Sequence, residues 1–122
     1  MAVEESKEMY LETILILSQK GETVRSIDIS EYMGYSKPSV SRAMTILKDG
    51  GYIEEDYREG IVLTKKGKKK AEEVYDRHNT LTKMFESLGV DPKTAAEDAC
   101  RIEHYISEKT FKAIKKHFLE FR

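Results

Sequence analysis

Apolar residues recur at three- and four-residue spacing through most of the chain, and one short stretch breaks that rhythm. From Ser6 to Gln19 the residues Tyr10, Leu11, Ile14, Leu15 and Leu17 make one stripe, which predicts a helix capped by Ser6 and stopped at Lys20-Gly21. A second, shorter helix is expected over Ser26–Met33, with Ser26 as N-cap and Ile27, Ile29 and Tyr32 as buried candidates. Gly34 can take the left-handed conformation that ends it. A third helix opens at Ser36, with Pro38 in the first turn, where its missing N–H costs nothing. Its inner face is Val40, Ala43, Met44 and Leu47, and Asp49-Gly50-Gly51 stops it.

The period changes at Tyr52. Tyr52–Glu55 and Gly60–Thr64 read as two short strands joined by Asp56–Glu59, with Gly60 available for the turn. Helical spacing returns after Thr64, and apolar or near-apolar positions at Val74, His78, Leu81, Phe85 and Leu88 step by four and three. Gly89 ends that helix. Asp91 and Pro92 then open a fifth, which turns Ala95, Ala99, Ile102 and Ile106 inward. Ser107 caps a sixth, striped by Phe111, Ile114, Phe118 and Phe121. The expected fold is mainly α: a winged helix-turn-helix domain over residues 1–64, followed by a helical domain over 65–122. Two short helices after a long one cannot cover all this apolar surface alone, so a homodimer is expected.

Helix, glycine turn, helix and hairpin in that order is the winged-helix arrangement, which binds double-stranded DNA. The outer face of the third helix carries the chemistry for it. Ser36, Lys37, Pro38, Ser39 and Ser41 are small or cationic and let backbones approach. Arg42 can make a bidentate contact with guanine. Arg58 falls at the hairpin tip, where a wing meets phosphates. Charge distribution qualifies this picture. Net charge is −1, but residues 1–64 hold 7 Lys/Arg against 12 Asp/Glu, a net of −5, and residues 65–122 hold 14 against 10, a net of +4. Bulk charge therefore cannot drive DNA binding; local cations or a bound metal must. The run Thr64–Lys70 is basic enough to reach phosphates or simply to be solvated.

A second chemistry lies in Cys100-Arg101-Ile102-Glu103-His104. If this stretch is helical, Cys100, Glu103 and His104 share one face. A thiolate, a carboxylate and an imidazole on one turn supply three donors for a transition metal, and a fourth must come from elsewhere. The plainer possibility is a core cysteine beside a solvated Glu-His pair. One cysteine excludes an internal disulfide and fits a reducing compartment. No run approaches the length of a membrane span and the first residues have no signal-peptide character, so a cytoplasmic protein is expected. No phosphate loop and no further acid–base pair suggests an enzyme or a small-molecule substrate.

Taken with Glu8-Met9-Tyr10-Leu11, Ser36-Lys-Pro-Ser-Val-Ser41 and Val62-Leu-Thr-Lys-Lys-Gly67, the stretch Glu97–His104 resembles the metal-dependent repressors of the diphtheria toxin repressor and manganese transport regulator type. The resemblance covers nearly the whole chain. It implies a metal-dependent repressor of metal-uptake genes. It implies metal ligands at Met9, Cys100, Glu103 and His104, as in iron-responsive members, and at Glu12 and His78 with Glu103, as in manganese-responsive members. The implied cofactor is Fe2+ or Mn2+, with Co2+, Ni2+ or Zn2+ able to substitute. The sulfur donors tilt the choice towards iron. Thr82 and Ala96 stand where an iron-type accessory site would carry further ligands. The sequence ends where longer members continue into an SH3-like domain, so a short form is expected. With Met9 and Glu12 in the DNA-binding lobe and the other ligands in the dimer lobe, the implied metal bridges the lobes and activates operator binding. The alternative is a metal-independent winged-helix regulator in which the Cys100 turn is structural.

Overall fold

The computed structural model describes residues 3–121, with side chains from Ser6 to Glu120. Its elements are α1 (Val3–Gln19), α2 (Ser26–Met33), α3 (Lys37–Asp49), β1 (Ile53–Asp56), β2 (Gly60–Leu63), α4 (Lys65–Ser87), α5 (Pro92–Ile102) and α6 (Glu108–Phe121). They fall into two compact units, residues 1–72 and 73–122, so the long α4 contributes to both.

In the first unit the apolar faces of three helices meet the hairpin. Leu11, Ile14, Ile29, Val40, Leu47 and Ile53 are all essentially enclosed. Packing of such faces, rather than helix propensity, stabilises segments this short. α3 starts as its sequence dictates. The Ser36 side chain accepts the Ser39 backbone N–H, and Pro38 sits in the first turn. α2 ends on Gly34 in the left-handed region, at φ 73°.

The hairpin is antiparallel, with Ile53 opposite Leu63 and Asp56 opposite Gly60. Its turn is closed by the Asp56 carboxylate, which accepts the backbone N–H groups of Arg58 at 2.7 Å and Glu59 at 3.0 Å. A third strand-like contact joins it: Val24 bridges Gly60 in parallel, and the Ile61 N–H donates to the Val24 carbonyl at 2.8 Å. Gly60 has φ 75°, and a Cβ there would stand 2.4 Å from the Val24 oxygen. Glycine is therefore required by close approach as well as by the turn. Gly67 is still tighter, because an added Cβ would lie 1.9 Å from the Tyr52 carbonyl oxygen. The first turn of α4 thus rests on the backbone leading into β1. Thr64 caps that turn through Oγ1, which accepts from the Gly67 N–H and donates to the Gly51 carbonyl.

In the second unit Leu81 of α4, Ala99 of α5 and Phe111 of α6 form a core, flanked by Met84, Phe85, Ile106 and Ile114. Asp91 caps α5 by accepting from the Thr94 N–H, and Ser107 accepts from Thr110 at the start of α6. No helix of the described residues is long and apolar enough to cross a membrane.

Several local expectations are corrected. Ser6 is not a cap, because α1 already begins at Val3. The N-cap of α2 is Arg25 rather than Ser26, and its N–H is held by the Asp28 carboxylate at 2.9 Å. Ile27 and Tyr32 are 44% and 51% exposed, because only the Ile29 side of this two-turn helix faces the core. Leu88, at the end of α4, and Ile102 are exposed too. The side chain of Phe121 lies outside the described residues.

Candidate functional site

Two clusters of side chains carry chemistry. The first gathers around Glu103 in the second unit. α5 stops at Ile102, and Glu103 is its C-cap with φ −60° and ψ −25°. The Glu103 carbonyl, one of those a helix end leaves without an intrahelical partner, receives Arg77 Nη1 at 3.2 Å. The Glu103 side chain is fully enclosed. Its two oxygens meet two imidazoles. His78 Nδ1, from α4, lies 2.8 Å from Oε2, and His104 Nε2 lies 3.2 Å from Oε1. Burial would raise the Glu103 carboxyl pKa, but the two imidazoles set against its oxygens outweigh it and hold the carboxyl below its ordinary value. A buried carboxylate kept ionised between two imidazoles is a hard–intermediate donor set of the kind that Fe(II), Mn(II) and Zn(II) accept.

The sequence placed Cys100, Glu103 and His104 on one helical face, and the helix reaches only part of that way. Glu103 is the C-cap, still with helical dihedrals and its N–H on the Ala99 carbonyl, and the turn that follows carries His104. Cys100 is solvent-exposed, whereas the side chains of Glu103 and His104 are 0% and 2% exposed. His78, by contrast, is brought directly onto Glu103 although 25 residues separate them. Met9 and Glu12 stand three apart on α1 of the first unit, both partly buried. The spacing rules did not flag Arg77, which fixes the Glu103 backbone, or Asp76, which receives Lys115 of α6 at 2.7 Å. Nor did they flag the pair of Glu8, only 4% exposed, with Lys70 Nζ at 3.2 Å within the first unit.

The second cluster is the outer face of α3 and the hairpin tip. Lys37, Pro38, Ser41 and Arg42 are exposed, as is Arg58 between the strands. Ser36 is committed to its cap and also donates to Ser39 Oγ at 2.8 Å, so its hydroxyl is already oriented. Arg42 Nη2 lies 3.4 Å from the same Ser39 oxygen, which leans the guanidinium along the first turn of α3. A short polar helix face with one arginine and several hydroxyls can reach base edges in a major groove.

Both parts of the chain match known families. Residues 2–61 match the family described as iron dependent repressor, N-terminal DNA binding domain, and residues 64–122 match iron dependent repressor, metal binding and dimerisation domain. An HTH-type transcriptional regulator of Methanocaldococcus jannaschii is 31% identical over 97% of this chain and 96% of its own length. The transcriptional regulator MntR of Escherichia coli O6:H1 is 34% identical over 87% of this chain and 68% of its own. The structure of the manganese regulator SloR superposes with a TM-score of 0.81 at 30% identity, covering 95% of this chain. The chain spans about half of that regulator's length, 54%.

Proposed function

The chain belongs to the iron-dependent repressor family, and from that premise we propose that it is a metal-dependent transcriptional repressor that binds operator DNA as a homodimer and controls metal homeostasis genes. The observation that carries the reading is the enclosed Glu103 carboxylate with an imidazole on each oxygen. An ion pair made only for stability gains little from such burial. A metal-binding role explains why two imidazoles and a carboxylate converge there.

In this reading His78, Glu103 and His104 hold the ion, and Cys100 adds a thiolate. Met9 and Glu12 add a thioether and a carboxylate, as the resemblance to the family implies. When bound, Fe2+ or Mn2+ supplies positive charge and a coordination link among these donors; Co2+, Ni2+ or Zn2+ can substitute. Sulfur at Met9 and Cys100 favours iron. On the DNA side, Ser36, Lys37, Pro38, Ser39 and Ser41 set the approach of α3 to the duplex, Arg42 reads a base and Arg58 meets a phosphate. By function the chain divides as 1–64 for DNA and 65–122 for metal and dimer, while the first two turns of α4 pack with the first compact unit, which runs to residue 72. The likeness to the regulators named above supports a binding protein, not an enzyme. A ligand shifts the two states only by its difference in affinity between them, and DNA must tighten metal by the same factor.

The test is DNA binding under anaerobic, reducing conditions, with chelator and then with Fe(II), Mn(II), Co(II) or Zn(II). A duplex selected by the protein from a random pool serves as probe. Binding that depends on added metal is expected. Equal affinity in chelator would leave a metal-independent winged-helix regulator and refute the switch.

A further inference from the structure

The first unit has a trough of about 900 Å³ between the start of α2, the end of α3 and the wing, and the residues named for DNA reading do not account for it. Arg25, Lys48 and Arg58 line it, against Glu55 and Asp56. The Asp56 carboxylate accepts two backbone N–H groups of the wing turn, which orients it and keeps it ionised. Three cations against two carboxylates leave the trough with a small cationic excess. That is unusual on a lobe whose sequence is net acidic. The groove on the other side of Val24 sets Lys20 alone against Glu22, Asp28 and Glu31, and the one beneath the wing sets Arg58 against Glu22 and Glu59. Three of the seven Lys and Arg residues of positions 1–64 thus line one hollow.

At the rim stands Tyr57, 97% exposed at the wing tip. A tyrosine so exposed contributes almost nothing to folding, and its ring and hydroxyl are free to meet a polar, partly apolar surface. A cationic trough with an aromatic rim, beside an exposed α3, is complementary to a sugar–phosphate backbone.

We propose that this trough holds the operator backbone next to the bases faced by α3, with Arg25 and Lys48 on phosphates and Tyr57 against the sugar–phosphate edge. This rests on the DNA-binding reading above and extends the interface to Arg25 before α2, Lys48 in the last turn of α3 and Tyr57 beside the wing arginine. Phosphate contacts set position and affinity without carrying sequence information, so the trough governs how tightly the dimer holds any duplex and α3 governs which one.

The full chain, saturated with Mn(II), is titrated against its selected duplex and a scrambled one across a range of salt concentrations. Both subunits of the dimer carry each change, so each of Arg25→Ala and Lys48→Ala should lower the slope of log K against log salt by about 1.8, two phosphates at about 0.9 each, and together by about twice that. Both duplexes should weaken by the same factor. Arg25→Lys should restore the slope, and Tyr57→Ala should weaken both duplexes with the slope intact. Arg25, Lys48 and Tyr57 are exposed, so thermal midpoints should match the parent. If the double variant keeps the parental slope while Arg42→Ala loses discrimination between duplexes, the trough assignment is wrong and the DNA-binding reading stands. If the parent binds neither duplex, both fall together.

Discussion

The Nδ1 of His78 lies 2.8 Å from Oε2 of Glu103, and the Glu103 side chain has no exposed surface. His78 comes from α4 and Glu103 caps the end of α5, so the contact joins two elements far apart in sequence. If they hold a metal, Glu103→Gln, which keeps size but loses charge, should weaken Co(II) or Mn(II) binding by more than about tenfold. It should also abolish metal-dependent operator binding. A merely structural pair would instead give a variant of lower thermal stability with unchanged metal affinity. A Co(II) absorption titration alongside a thermal melt separates the two.

Ser36 and Arg42 should come apart in the same way. Ser36 caps α3, so Ser36→Ala should lower unfolding free energy by about 1 kcal/mol in urea denaturation, and weaken all duplexes. Arg42 is exposed at the helix surface, so Arg42→Ala should leave stability unchanged. It should cost about 1–3 kcal/mol of discrimination at one base position. A stability loss at Arg42 equal to that at Ser36 would contradict its assignment to base reading.

Much of this fold is written in local signals. Gly34, Ser36 and Pro38 act within one turn of themselves, and the turn from α2 to α3 follows directly from them. The cap of α2 was equally local but easy to miss. Asp28, three residues after Arg25, reaches back to its N–H, while Ser26 looks the better cap by residue type alone. What periodicity cannot carry is pairing across distance. Nothing in the spacing of α4 says that Arg77 will take the Glu103 carbonyl, that His78 will meet its carboxylate, or that Lys70 will meet Glu8. Val24 bridges the hairpin through a single backbone pair, too little to leave a strand pattern. Apolar identity likewise does not say which face is covered: Leu88 fits the stripe of α4 and is 73% exposed. Spacing alone leaves His78 as a core histidine, whereas the structure sets its Nδ1 against the Glu103 carboxylate. The helical premise for Cys100 to His104 holds only as far as Glu103, the C-cap of α5, and His104 lies in the turn beyond it.

Gly67 tests the seating of the wing on α4. Its absent Cβ would fall 1.9 Å from the Tyr52 carbonyl oxygen, a backbone atom that cannot swing aside. Gly67→Ala should therefore destabilise the chain by at least about 2 kcal/mol in urea. Gly21→Ala is the control. There the Cβ meets nothing within 4 Å, but φ is +80°, so the cost should stay near about 1 kcal/mol. Equal costs at the two glycines would mean that α4 does not press on the Tyr52 backbone as described.

Asp91 gives the chain an acid-sensitive cap. The Thr94 backbone N–H, and then the Thr94 hydroxyl, bind its carboxylate and hold its pKa below the usual value. A depressed folded-state pKa means that ionised Asp91 stabilises the fold at pH values above its unfolded pKa, about 3.9. That contribution fades as pH falls through the lower folded value. Asp91→Asn keeps an oxygen for the Thr94 N–H but cannot carry charge. The parent should therefore be more stable than Asp91→Asn at neutral pH, and the difference should shrink from about pH 4 downward. Urea midpoints of both chains at several pH values check this. Other carboxylates titrate equally in the two and cancel in the difference. A gap that stays constant into acid would mean that the cap works through its hydrogen bond alone and that its charge adds nothing to the start of α5.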